Sequence, residues 1–107
     1  MSIDQTDVVD AIGIENRTGD IVLTIFDHLP WNGNEHFLLL QEKMNAYLRF
    51  IESGEIFETY PNTKDRKFVI NVVCKYNPDQ SALSFLKRIK TFIDGAGFSF
   101  KYEHFSG

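Results

Sequence analysis

The sequence predicts an α+β fold: a two-layer sandwich of ββαβαβ order, with two main helices on one face of a four-stranded mixed sheet. Three observations predict it. Two stretches repeat apolar residues every three or four positions, the period of one helical face, and four others alternate with the period of a strand. Each helical stretch separates two strand-like ones by enough residues for a right-handed crossover, whereas the first two strands are joined by a short turn. Two amphipathic helices carry enough apolar surface to cover one sheet face, not two. The chain has 107 residues, 43% of them hydrophobic and 14% aromatic, which suits one core and a single domain over 1–107 with a flexible N-terminus at 1–6.

The elements follow in order. Val8 to Ile14 reads as a strand, with Val8, Ile12 and Ile14 on one face. Glu15-Asn16-Arg17-Thr18-Gly19-Asp20 is a turn cluster, so this strand and the next form a hairpin. Ile21 to Phe26 follows, with an aliphatic face of Ile21, Leu23 and Ile25 opposite Val22, Thr24 and Phe26. The first helix starts at Asn32-Gly33-Asn34-Glu35, where either Asn32 or Asn34 serves as the cap. Phe37, Leu40, Met44, Tyr47, Leu48 and Ile51 form its stripe, and Ser53-Gly54 interrupts it. A short turn over Glu55 to Tyr60 ends at Pro61, and Asn62 to Lys67 is a polar loop.

Phe68 to Tyr76 is the central strand, with Phe68, Ile70, Val72, Cys74 and Tyr76 alternating against Val69, Asn71, Val73 and Lys75. Asn77-Pro78-Asp79-Gln80 opens the second helix, with Asn77 as cap and Pro78 at the first helical position. Ala82, Phe85, Leu86, Ile89, Phe92 and Ile93 form its stripe, and Gly95 or Gly97 ends it. Phe98 to Phe105 is the last strand, with Phe98, Phe100 and Tyr102 inward. Ile21, Leu23, Ile25, Phe68, Ile70, Val72, Phe98 and Phe100 are therefore expected beneath the helices.

Charge and composition exclude several roles. A net charge of -4 is the wrong sign for a nucleic-acid binder, which displaces counterions from phosphates with a basic surface. No apolar run approaches the ~18 residues that span a bilayer, and the N-terminus has acids where a signal peptide has bases. A cytosolic protein without membrane or nucleic-acid partners is expected. The single Cys74 lies in a strand pattern and reads as a small core residue.

The stretch from Asp27 to His36 holds the only Trp and two of the three His, at a strand-to-helix junction where α/β proteins commonly place working groups. Asp27, His28, Glu35 and His36 are the one group with metal-ligand or ligand-binding chemistry. Their spacing fixes no coordination geometry, so no metal and no cofactor is expected. The plain alternative puts Glu35 and His36 on the exposed first turn of the helix, where Glu complements the dipole. Trp31 either packs back on the helix as a staple or anchors a partner. No serine sits in a nucleophile context, and Asp94-Gly95-Ala96-Gly97 follows a helix, the reverse of a phosphate loop. Lys87, Arg88 and Lys90 read as a solvated helix face. Val22, Phe26, Val69 and Val73, by contrast, belong to the sheet face that the helices leave uncovered.

Asp27-His28-Leu29-Pro30-Trp31, the run Leu39 to Leu48, Phe50-Ile51-Glu52-Ser53-Gly54 and Lys75-Tyr76-Asn77-Pro78 together resemble the domain of unknown function 6572 family. The likeness runs from Val8 to Phe105. It implies a free-standing bacterial cytosolic domain and transfers no activity to any residue. The expectation is a non-enzymatic interaction module that forms a homodimer through Val22, Phe26, Val69 and Val73. The alternatives are a small enzyme or metal-binding protein using the Asp27–His36 junction, or an immunity-type or regulatory protein that binds a basic protein partner.

Overall fold

A computed structural model describes residues 11–31, 34–63 and 66–105. Strands β1 (Ala11–Ile14), β2 (Ile21–Asp27), β3 (Phe68–Cys74) and β4 (Ser99–His104) form one sheet in the order β1-β2-β3-β4. The β1–β2 pair is an antiparallel hairpin, and β2–β3 and β3–β4 are parallel, so the sheet is mixed. Helices α1 (Asn34–Glu52) and α3 (Gln80–Gly95) make the two crossovers. Between α1 and β3 lie a short helix α2 (Glu55–Thr59) and a 3-10 turn (Pro61–Thr63).

The alternation of β2 and β3 sorts the two faces. Ile21, Leu23, Ile25, Ile70 and Val72 are wholly buried with Leu40, Ile56, Leu86 and Ile93 of the helices in one cluster. Phe68 and Phe100 complete that layer, while Phe98 packs against it partly buried. Gly54 takes φ 84°, a left-handed conformation that separates α1 from α2 at the break expected there. At the other end of the core, the hairpin turn closes through Glu15 N–H to the Asp20 carbonyl at 2.8 Å, and the Arg66 guanidinium holds the Gly19 carbonyl at 2.9 Å.

Five details differ from expectation. Phe92, expected on the buried stripe of α3, is 62% exposed, because that stripe runs through Leu86, Ile89 and Ile93 and turns Phe92 outward. β3 ends at Cys74, not Tyr76, because β2 ends at Asp27, the register partner of Cys74, and leaves nothing further to pair with. The α3 cap is Asp79, whose carboxylate accepts from the Ala82 N–H at 2.8 Å, so Asn77 and Pro78 lie ahead of the helix. A charged acceptor two residues downstream suits the positive end of the helix better than a neutral one. β4 begins at Ser99, and Tyr102 is exposed because this edge strand runs out beyond the helix layer after Phe100. Asn34 is the first residue of α1 and not its cap; Asn32 and Val8 lie outside the described residues.

Candidate functional site

The strand-to-helix junction is built by the periodicities of the two elements that meet there. Asp27 is the last residue of β2 and shares the face of Ile21, Leu23 and Ile25, so its carboxylate points under the start of α1. His36 lies one turn before Leu40 on the buried stripe of α1. The two meet with His36 Nε2 2.5 Å from Asp27 Oδ2, and the residues are 4% and 2% exposed. His36 was expected on an exposed first turn; the α1 stripe extends one turn further back and buries it. Glu35 and His28 are exposed and stand apart from the pair.

Both ring nitrogens are engaged. Nδ1 lies 2.9 Å from the Pro30 carbonyl, which accepts only, so this nitrogen donates. The remaining contact to Asp27 then holds one proton between carboxylate and imidazole. The second carboxylate oxygen accepts from the Leu29 N–H at 3.1 Å. The Trp31 ring stacks on His36 at 4.0 Å between centroids, and its indole N–H donates to the Tyr76 carbonyl at 2.9 Å. Trp31 thus covers the pair and pins the β2–α1 loop to the end of β3. Both ring nitrogens of His36 and both oxygens of Asp27 are thus engaged within the chain. Among the described residues no three His, Cys, Asp or Glu side chains group as a metal site.

Cys74 stands beside Asp27 across the β2–β3 ladder and is buried. Burial, and after it the neighbouring Asp27 carboxylate, together push its thiol up to about 12. It is a protonated core residue.

The other face of the sheet presents Val22, Thr24 and Phe26 of β2 beside Val69, Asn71 and Val73 of β3 in matched register. No helix among the described residues lies on this side. Val22, Val69 and Val73 are half-buried, and Phe26 is 44% exposed. At the centre, Asn71 is only 7% exposed, and its Oδ1 has no hydrogen-bond partner among the described residues. Lys101 and Glu103 of β4 border this row.

Neither the junction nor the open face carries a signature of a known activity, and the comparison with known families decides what the chain is related to. A model described as a family of unknown function, DUF6572, matches residues 1–106. The chain belongs to the DUF6572 family. No curated protein and no solved structure matches it. The two loop segments that carry the DUF6572 resemblance, Asp27 to Trp31 and Lys75 to Pro78, are those that the Trp31–Tyr76 hydrogen bond joins.

Two residues escaped the sequence reading of this DUF6572 chain. Lys43 is wholly buried on the α1 stripe, at three residues from Leu40 and four from Tyr47, and a lysine there is read as exposed unless spacing outweighs charge. Asn71 reads as a routine outward residue, and its burial depends on neighbours across two ladders. No helix among the described residues is long and apolar enough to cross a membrane.

Proposed function

We propose that this chain is a small, non-enzymatic interaction module of the bacterial cytosol that self-associates through the sheet face opposite its helices. The observation that carries the reading is the matched apolar row of Val22, Phe26, Val69 and Val73 on the sheet face opposite the helices, with Phe26 44% exposed. A two-fold axis through this row sets the same side chains of two copies against each other. Burying such side chains contributes roughly 1.5–3 kcal/mol each, enough for a few of them to offset the entropy of association.

Sedimentation at micromolar concentration tests the proposal. The wild type is expected as a dimer and the Phe26→Lys variant as a folded monomer. A wild type that sediments as a monomer removes the homodimer. A Phe26→Lys chain that unfolds shows instead that this face is covered within the chain.

A further inference from the structure

On the helical side of the domain a groove of about 330 Å3 separates α1 from α3. Its floor is apolar: Met44 of α1 and Ile89 of α3 are buried at the base, and Phe85 forms part of the wall. One end is closed by the stack of Phe37 on Phe85, with centroids 4.5 Å apart. The rims differ in chemistry. Along α1, Leu38, Gln41 and Asn45 follow one another at the spacing of a helical stripe, and all three are exposed. Along α3, Phe92 is 62% exposed beside Arg88, whose guanidinium lies over the Phe85 ring.

The cations on α3 are divided unequally. Lys90 is held by Asp94 at 2.8 Å, whereas Arg88 lines both the groove and an adjoining hollow with Lys87, Ser84 and Thr91. Arg88 and Lys87 form no ion pair among the described residues. A chain of net charge -4 thus places one cation, Arg88, on the rim of its apolar groove, with Lys87 in the adjoining hollow.

We propose that this groove is a docking site for an amphipathic helix of a partner protein, with acidic residues bordering the apolar face of that helix. A third helix fits the trough between two neighbouring helices by ridge-into-groove packing, and helix-in-groove recognition uses anchors at i, i+3 or i+4, and i+7. A small molecule on the floor leaves Phe92 and Leu38 in water, whereas a helix laid across the rims covers both. The charge of Arg88 selects Asp or Glu on the partner's flank.

Selection from a displayed library of randomised single-helix peptides tests this. Enriched sequences are expected to share three apolar anchors at helical spacing with Asp or Glu beside them. Synthetic versions should lose about tenfold in affinity for Arg88→Glu. Phe92→Ser and Gln41→Glu, both at exposed positions and so compatible with folding, should each weaken binding as well. Phe26→Lys, on the opposite face of the sheet, should bind as the wild type does, which separates this site from self-association. Enrichment of basic sequences, no enrichment over the Arg88→Glu protein, or binding lost in Phe26→Lys alone would each overturn the proposal.

Discussion

Replacing His36 by Ala should cost the domain a large part of its stability, and the size follows from what the side chain touches. The substitution removes the Nε2 contact and leaves the Asp27 carboxylate under α1 with the Leu29 N–H as its remaining partner. Breaking a buried ion pair from one side costs about 3–5 kcal/mol, because the other charge stays buried. The lost ring stack with Trp31 adds about 0.5–1.5 kcal/mol. Against a total of roughly 5–15 kcal/mol for a small domain, His36→Ala sits near the limit of folding. Asp27→Ala should cost about 3–5 kcal/mol by the same reasoning. The double variant strands no charge, so its cost should fall short of the sum by about 2–3 kcal/mol. Urea titration measures all four proteins, with far-UV circular dichroism for the whole fold. Fluorescence of Trp31, the only tryptophan and a direct neighbour of His36, reports on the site itself. Single variants that each cost under about 1 kcal/mol, or costs additive to about 0.5 kcal/mol, would refute the claim that the pair holds the junction together.

Three further outcomes are expected. Cys74 should resist thiol reagents in the native protein; and since its thiol rises from 9.0 to about 12 on folding, the unfolded chain sheds a proton above pH 9 that the folded one keeps. Stability should therefore fall by about 1.4 kcal/mol per pH unit over that window, a slope that Cys74→Ala removes on comparing melts of the two proteins. Asp79→Ala should lower stability by about 1 kcal/mol through loss of the α3 cap, read as a shift of the urea midpoint at constant slope. Gly54→Ala should cost about 1–2 kcal/mol from backbone strain alone, because the nearest atom to the added Cβ is Phe57 Cδ2 at an ordinary 3.8 Å.

Most of the layer order was legible because β2, β3 and the helix stripes are strongly periodic, and a one-residue slip in either strand would have exchanged core and surface. The junction was harder. The aliphatic face of β2 ends at Ile25, and reading it two residues further to Asp27 means accepting a carboxylate on a core face. His36 likewise continues the stripe of Leu40 back by one turn, yet a histidine beside Glu35 and Asn34 reads as polar surface. Each side chain alone looks misplaced in the core. Together they satisfy each other, and single-position hydropathy does not register a pair. The α3 cap failed for a different reason: Asn77, Asp79 and Pro78 all suit a helix start, and local chemistry leaves several registers within half a turn. Lys43 was missed because charge outweighed its helical spacing.

The strand order of the sheet is also the order in which a ribosome produces the strands. β2 pairs with β1 as soon as the hairpin turn has emerged, β3 adds to the free edge of β2, and β4 adds to the free edge of β3. No strand has to be inserted between two that are already paired, so no partial sheet holds a gap open for a late central strand. At each stage the edge opposite β1 is the one that the next strand covers, which limits how long that edge is available to another nascent chain. A ribosome stalled after β3 would hold a three-stranded intermediate with Phe68, Ile70 and Val72 already beside α1 but without the cover of α3. Surface labelling of such stalled chains would find the apolar core accessible from the α3 side alone.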